Sequence, residues 1–170
     1  MSAKGFNVVE DGHIVTLYVP AEFQGVYAGA DSIVIVEMAN YNHATIIYSI
    51  GINPLAAGIV TIESCDDLVP NTPTEIMFPY YRYETSQSLA NGDIPGARTW
   101  TTTAAAGLIP VAGAVPSMYV IELDAEMLVE GHVGFRMCVV NPAGASTGSA
   151  IAILSGSRYA KSSASQMTVY

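Results

Sequence analysis

Charge is what this sequence has least of: Asp, Glu, Lys and Arg make up 12% of its 170 residues, about half the roughly 25% usual in soluble domains. A folded chain of 17.9 kDa exposes about 8,000 Å², so each charged side chain has roughly 380 Å² to itself, and another subunit or partner is expected to cover part of that surface. Basic residues are the scarcer sign, 6 against 15 acidic, for a formal charge of −9. No basic stripe exists to displace phosphate counterions, which argues against nucleic acid as a partner. Cysteine is nearly absent too. Cys65 and Cys138 lack Cys-x-x-Cys spacing and are too few for a disulfide framework, so they are expected as buried free thiols.

Long apolar helices are also missing. Three stretches carry no Lys, Arg, Asp or Glu: Met38–Ile62, Thr99–Ile121 and Met137–Ser157. The first is interrupted by Asn40, Asn42, Asn53 and Pro54, the second by Gly107, Pro110, Gly113 and Pro116, and the third by Asn141, Pro142, Gly144 and Gly148. None offers the unbroken apolar segment of about 20 residues that a bilayer crossing needs, so no membrane association is expected. The first residues, Met1 to Asn7, show no apolar run of a signal peptide, and synthesis in a cytoplasm is the expectation.

What is present is β structure. Runs rich in Val, Ile, Thr and Tyr, alternating or wholly apolar, predict strands at 13–19, 32–38, 44–50, 58–64, 75–83, 98–103, 119–123, 132–140 and 149–155. Turn signals separate them, such as Ile52-Asn-Pro54, Ala90-Asn-Gly-Asp93 and Asn141-Pro-Ala-Gly144. The one helical signal is 124–130, with Asp124 placed to cap a short turn and Gly131 to end it. The expected fold is all-β: an antiparallel β-sandwich, jelly-roll-like, of about nine strands, forming one domain over 1–170 with 1–11 as an N-terminal arm.

Ile33-Val-Ile-Val36 and Ile151-Ala-Ile-Leu154 are apolar on both alternate faces. One sheet face normally meets water, so such strands lie under a covering loop or under a neighbouring molecule. The apolar stretch Thr101–Pro116 is either a contact segment, with Leu108, Ile109 and Val111 as its contact residues, or a loop folded over its own core. Phe78-Pro-Tyr-Tyr-Arg-Tyr83 gathers four rings around an arginine. Tyr80, Tyr81, Arg82 and Tyr83 suit an interface centre, a sugar-stacking platform, or cross-strand pairing within one sheet. Trp100 is equally suited to core or contact.

Chemistry is thinly represented. His13, His43 and His132 lack the spacing of metal-ligand pairs. The acid pairs Glu10-Asp11 and Asp66-Asp67 lack the alternation of a calcium loop and are expected as solvated turn acids. No Gly-x-Ser-x-Gly elbow or phosphate-binding glycine loop occurs; Gly144-Ala-Ser-Thr-Gly148 lacks the lysine. No enzyme activity, cofactor or metal is expected.

Four segments nevertheless have a familiar order: Tyr41-Asn-His-Ala-Thr-Ile-Ile-Tyr48, Tyr119-Val-Ile-Glu-Leu-Asp-Ala125, Gly134-Phe-Arg136 with Asn141-Pro-Ala-Gly-Ala-Ser146, and Ala152-Ile-Leu-Ser-Gly-Ser-Arg-Tyr-Ala160. Over 41–160 the chain resembles a family of tailed-bacteriophage virion proteins that includes head-decoration, or capsid cement, proteins. The resemblance implies a β-rich homotrimer on the outside of a phage head, with the major capsid protein as partner, and no catalytic residues. A carbohydrate-binding β-sandwich module and a phage tail or fibre component are the alternatives.

Overall fold

The computed structural model describes residues 12–18, 34–51, 59–69, 71–84, 96–110, 116–139 and 148–157. The expected arm at 1–11, the acid pair Glu10-Asp11 and Val111 lie outside the described residues. The fold is the expected all-β sandwich, with ten strands in two antiparallel sheets among the described residues. The larger sheet orders β1 (His13–Tyr18), β10 (Gly148–Ser157), β3 (Tyr41–Ile50), β8 (Ser117–Asp124), β6 (Pro79–Glu84) and β7 (Thr99–Trp100). The smaller orders β2 (Ile35–Glu37), β9 (Gly134–Val139), β4 (Val60–Cys65) and β5 (Thr74–Ile76). Without the β6–β7 hairpin, β1-β10-β3-β8 faces β2-β9-β4-β5, the eight-strand order of a jelly roll with its two Greek keys.

The alternation in β3 shows why these residues form strands. Ala44, Ile46, Tyr48 and Ile50 are buried, while Tyr41, His43, Thr45, Ile47 and Ser49 between them are half-buried, the period-two signature of a sheet with one face on the core. Tyr119, Ile121 and Leu123 of β8 and Ala150, Ala152 and Leu154 of β10 join them, facing Val36, Val60, Ile62, Phe135 and Met137 of the smaller sheet. Small residues in β10 leave room for rings. Ala150 pairs with Tyr48, which stacks on Tyr119 at 6.2 Å between ring centres. The Tyr18 hydroxyl donates across the core to the Met137 carbonyl at 2.8 Å.

Two expectations change. The strand expected over 75–83 is two strands in different sheets, because Pro79 has no N–H to continue a ladder and the chain crosses between sheets at Met77-Phe78. The crossing is fixed to the residue beyond β7, where the Thr101 N–H donates to the Phe78 carbonyl (3.1 Å) and the Phe78 N–H to Thr101 Oγ1 (3.3 Å). The helical turn is a single 3₁₀ turn, Ala125–Met127. Asp124 stands at its N-cap as expected, in a capping box with Met127, whose Sδ accepts the Asp124 N–H at 3.5 Å, and its carboxylate also reaches His43, whereas Gly131 (φ +85°) serves the next turn, closed by the His132 N–H on the Val129 carbonyl at 2.9 Å.

Candidate functional site

Strand register assembles the face of the larger sheet that points away from the core. One row across five strands reads Thr16, Ile151, Ile47, Val120, Tyr81. The next reads Ile14, Ile153, Thr45, Glu122, and a third, on the other side, Ser149, Ser49, Met118, Tyr83. Of these, Ile14 is 49% exposed and the aliphatic side chains of β3, β8 and β10 are half-buried. The outer face of the larger sheet thus carries an apolar patch, Ile14, Ile47, Val120, Ile151 and Ile153, among hydroxyl-bearing residues, as the Ile151–Leu154 run suggested. One face is core and the other is free of charge except at one end.

That end holds a three-residue cluster. His43 lies opposite Asp124 in the β3–β8 ladder, and Glu122 follows on the same face two residues before Asp124. His43 Nδ1 is 2.7 Å from Asp124 Oδ1 and Nε2 is 2.7 Å from Glu122 Oε2, while the Thr45 hydroxyl donates to Glu122 Oε2 at 2.9 Å. A carboxylate oxygen at each ring nitrogen needs a proton on both, which favours the imidazolium. Burial pulls the His43 pKa down, but the hydrogen bonds to Asp124 and Glu122 and their charges outweigh it, and the net displacement is upward from 6.5. Because the folded value lies above the unfolded one, the stability this contributes is complete below pH 6.5 and is lost as pH rises through the raised folded value. The expected result is that thermal unfolding of wild type falls from pH 6.5 upward more steeply than that of His43→Gln; parallel pH curves for the two proteins would refute the cluster's role.

The cluster is an ion-pair network, and both ring nitrogens are committed within it. Among the described residues no group of three or more His, Cys, Asp or Glu is arranged to hold a metal ion. The other two histidines have structural surroundings. His13 stacks on Tyr41, with ring centres 6.4 Å apart. His132 Nδ1 lies 2.9 Å from Ser64 Oγ, a spacing a nucleophile and base would have. Ser64, however, has no solvent exposure and also accepts the Val129 N–H at 3.1 Å, so the contact ties the turn before β9 to β4. Asp66 is a half-buried turn acid that accepts the Asn71 N–H (3.2 Å) and the Thr72 hydroxyl (2.9 Å).

The contact residues expected from sequence are dispersed. Tyr81 and Tyr83 lie on the outer face, whereas Tyr80 turns inward against Tyr119 at 6.3 Å and Arg82 pairs with Tyr119 in the ladder. The four therefore form no single platform. Trp100 is 48% exposed on the edge strand β7, with the Arg98 guanidinium 5.3 Å from its ring centre. Ile109 is 62% exposed, but Leu108 is 1% exposed and belongs to the core. That corrects its assignment as a contact residue. Within 101–110 the apolar loop folds over its own chain, because Leu108 and Val60 exchange both backbone hydrogen bonds at 2.8 Å. Sequence reading missed Ile47 and Val120 on the outer face, and the Glu122-Leu-Asp124 alternation that puts two carboxylates on one side.

Both thiols are free, Cys65 buried and Cys138 half-buried, and burial pushes each pKa up to about 11. Among the described residues no helix is long and apolar enough to cross a membrane. In comparisons with known proteins, no family model, curated protein or solved structure matches the chain.

Proposed function

We propose that the chain is a non-enzymatic virion structural protein, a decoration or cement protein that binds the outside of a phage head and stabilises it by bridging capsid subunits. The observation that carries this reading is the apolar patch of Ile14, Ile47, Val120, Ile151 and Ile153 on the outer face of the six-stranded sheet, where a freely soluble sandwich more often carries polar side chains. Fold and sequence add support. Jelly rolls recur in viral capsids and lectins, although a fold alone does not fix a function, and the segments within 41–160 resemble the phage family. Cementing works by linkage: a protein that binds only the closed shell raises the free energy of opening it by RT ln(1 + [L]/Kd), about 2.7 kcal/mol per site at a hundredfold excess over Kd.

The test is direct. The protein is expected to elute as a trimer, about three times 17.9 kDa, to co-sediment with expanded phage heads, and to raise the temperature at which they release DNA. A protein that leaves the heads' melting unchanged and does not co-sediment with them is not a cement protein. The carbohydrate reading loses its three-tyrosine platform, since Tyr80 faces inward, and binding to glycans that Tyr81→Ala and Tyr83→Ala abolish would restore it. Particle imaging with density on the tail would favour the tail or fibre component instead.

A further inference from the structure

We propose that the outer face of the six-stranded sheet is the joint between copies of this chain. The inference rests on the assembly reading above and names the occupant of its apolar face. Continuity comes first. Register sets Ile153 beside Ile14 on β1, and Ile151, Ile47, Val120 and Tyr81 side by side across four strands, with no gap between them.

Area approaches what is needed. Five strands about 4.8 Å apart, from 6 to 10 residues long at about 3.3 Å per residue, give a face of roughly 630 Å². Each partner of a standard stable interface contributes about 800 Å². The outer face of the four-stranded sheet offers no equivalent, because Ile35, Thr61 and Cys65 on it are at most 3% exposed within the single chain.

Charge selects the occupant. Copies with a formal charge of −9 repel one another, so a copy–copy contact belongs where charge is scarcest. Among the described residues of β1, β10, β3, β8 and β6, the only charged groups on this face are Glu122, Asp124 and His43. They sit together at one end, where the His43 imidazolium offsets one of the two carboxylates. The rest is apolar or hydroxyl-bearing. A partner recognised through salt bridges would find nothing to pair with there, whereas a second copy brings an equally neutral surface.

The experiment measures the mass of the full chain by light scattering after gel filtration. Wild type is expected well above 17.9 kDa. Ile47→Lys and Val120→Glu are expected at the monomer mass at the same concentration with unchanged circular dichroism, and Ile109→Lys, on the exposed loop, at the wild-type mass. Should the charged variants fail to fold, Ser49→Cys provides a second measurement. Its thiol on this face is expected to react with iodoacetamide at least tenfold more slowly in the oligomer than after dilution to monomer, while Cys65 and Cys138, held at about 11, stay silent. Folded Lys and Glu variants that keep the wild-type mass overturn the proposal. So does a Ser49→Cys thiol that reacts freely in the oligomer, including one that becomes protected only on phage heads. An oligomer held by this face that fails to bind heads leaves the joint standing and refutes the cement reading.

Discussion

Gly107→Ala is expected to destabilise the fold by about 3 kcal/mol, from left-handed backbone strain plus overpacking, and to lower the melting temperature by on the order of 10 °C. Gly107 has φ +53°, and its N–H donates to the Ala104 carbonyl at 3.3 Å. A Cβ built there would stand 2.3 Å from the Val60 carbonyl oxygen and 2.7 Å from Ile59 Cγ2. Both contacts are on β4 or the residue before it, where the next residue, Leu108, makes its paired backbone bonds. The loop cannot move aside without giving up those bonds and withdrawing Leu108 from the core. Gly131→Ala is the control, because Gly131 has φ +85° but nothing within 4 Å of its Cβ position. It should cost only the backbone term, about 1 kcal/mol. The difference between the two, measured by urea unfolding, isolates the close approach to β4; equal losses would mean that the loop is not clamped.

That loop shows where sequence reading stops. Its apolar composition was legible, but whether it turned outward or inward depended on a bridge between Val60 and Leu108, 48 positions apart in the numbering. Most strands were legible because alternation is local, as in Ala44, Ile46, Tyr48 and Ile50. The break at Pro79 could have been read from proline's missing donor. The outer face was half legible: Ile151 and Ile153 announced a second apolar side, but only register shows that Ile47 and Val120 continue it. For the His43 cluster the partners lie 79 and 81 residues away, and no spacing rule reaches that far. The sole local hint was the acid–apolar–acid order of Glu122 to Asp124.

Arg136→Met is expected to cost about 3 kcal/mol, and Glu63→Leu combined with Arg136→Met to restore stability to within about 1 kcal/mol of wild type. Glu63 and Arg136 face each other across β4 and β9, with Arg136 Nε 2.5 Å from Glu63 Oε2 and side chains only 17% and 18% exposed. On the β9 side the surroundings are apolar, since Ile35 is the β2 neighbour of Arg136 and Cys65 and Cys138 flank the pair with thiols that burial keeps protonated, while on the β5 side Glu63 is opposite the exposed Glu75. Removing one partner leaves a sheltered charge uncompensated, whereas removing both also removes the desolvation penalty. A double-mutant cycle by urea unfolding decides the point, and single losses that simply add would show the pair to be as weak as a solvated surface bridge. The contrast between the sheets gives the cycle a wider meaning. On the smaller sheet the centre of the outer face is sheltered and its Glu63–Arg136 charges are paired internally, while Glu37 and Glu75 stand exposed at its edges, so changes to the central pair should alter stability without altering association. On the larger sheet the outer face is half-exposed and, away from the His43 cluster, uncharged, and a charge introduced there should alter association with little change in the stability of the single chain.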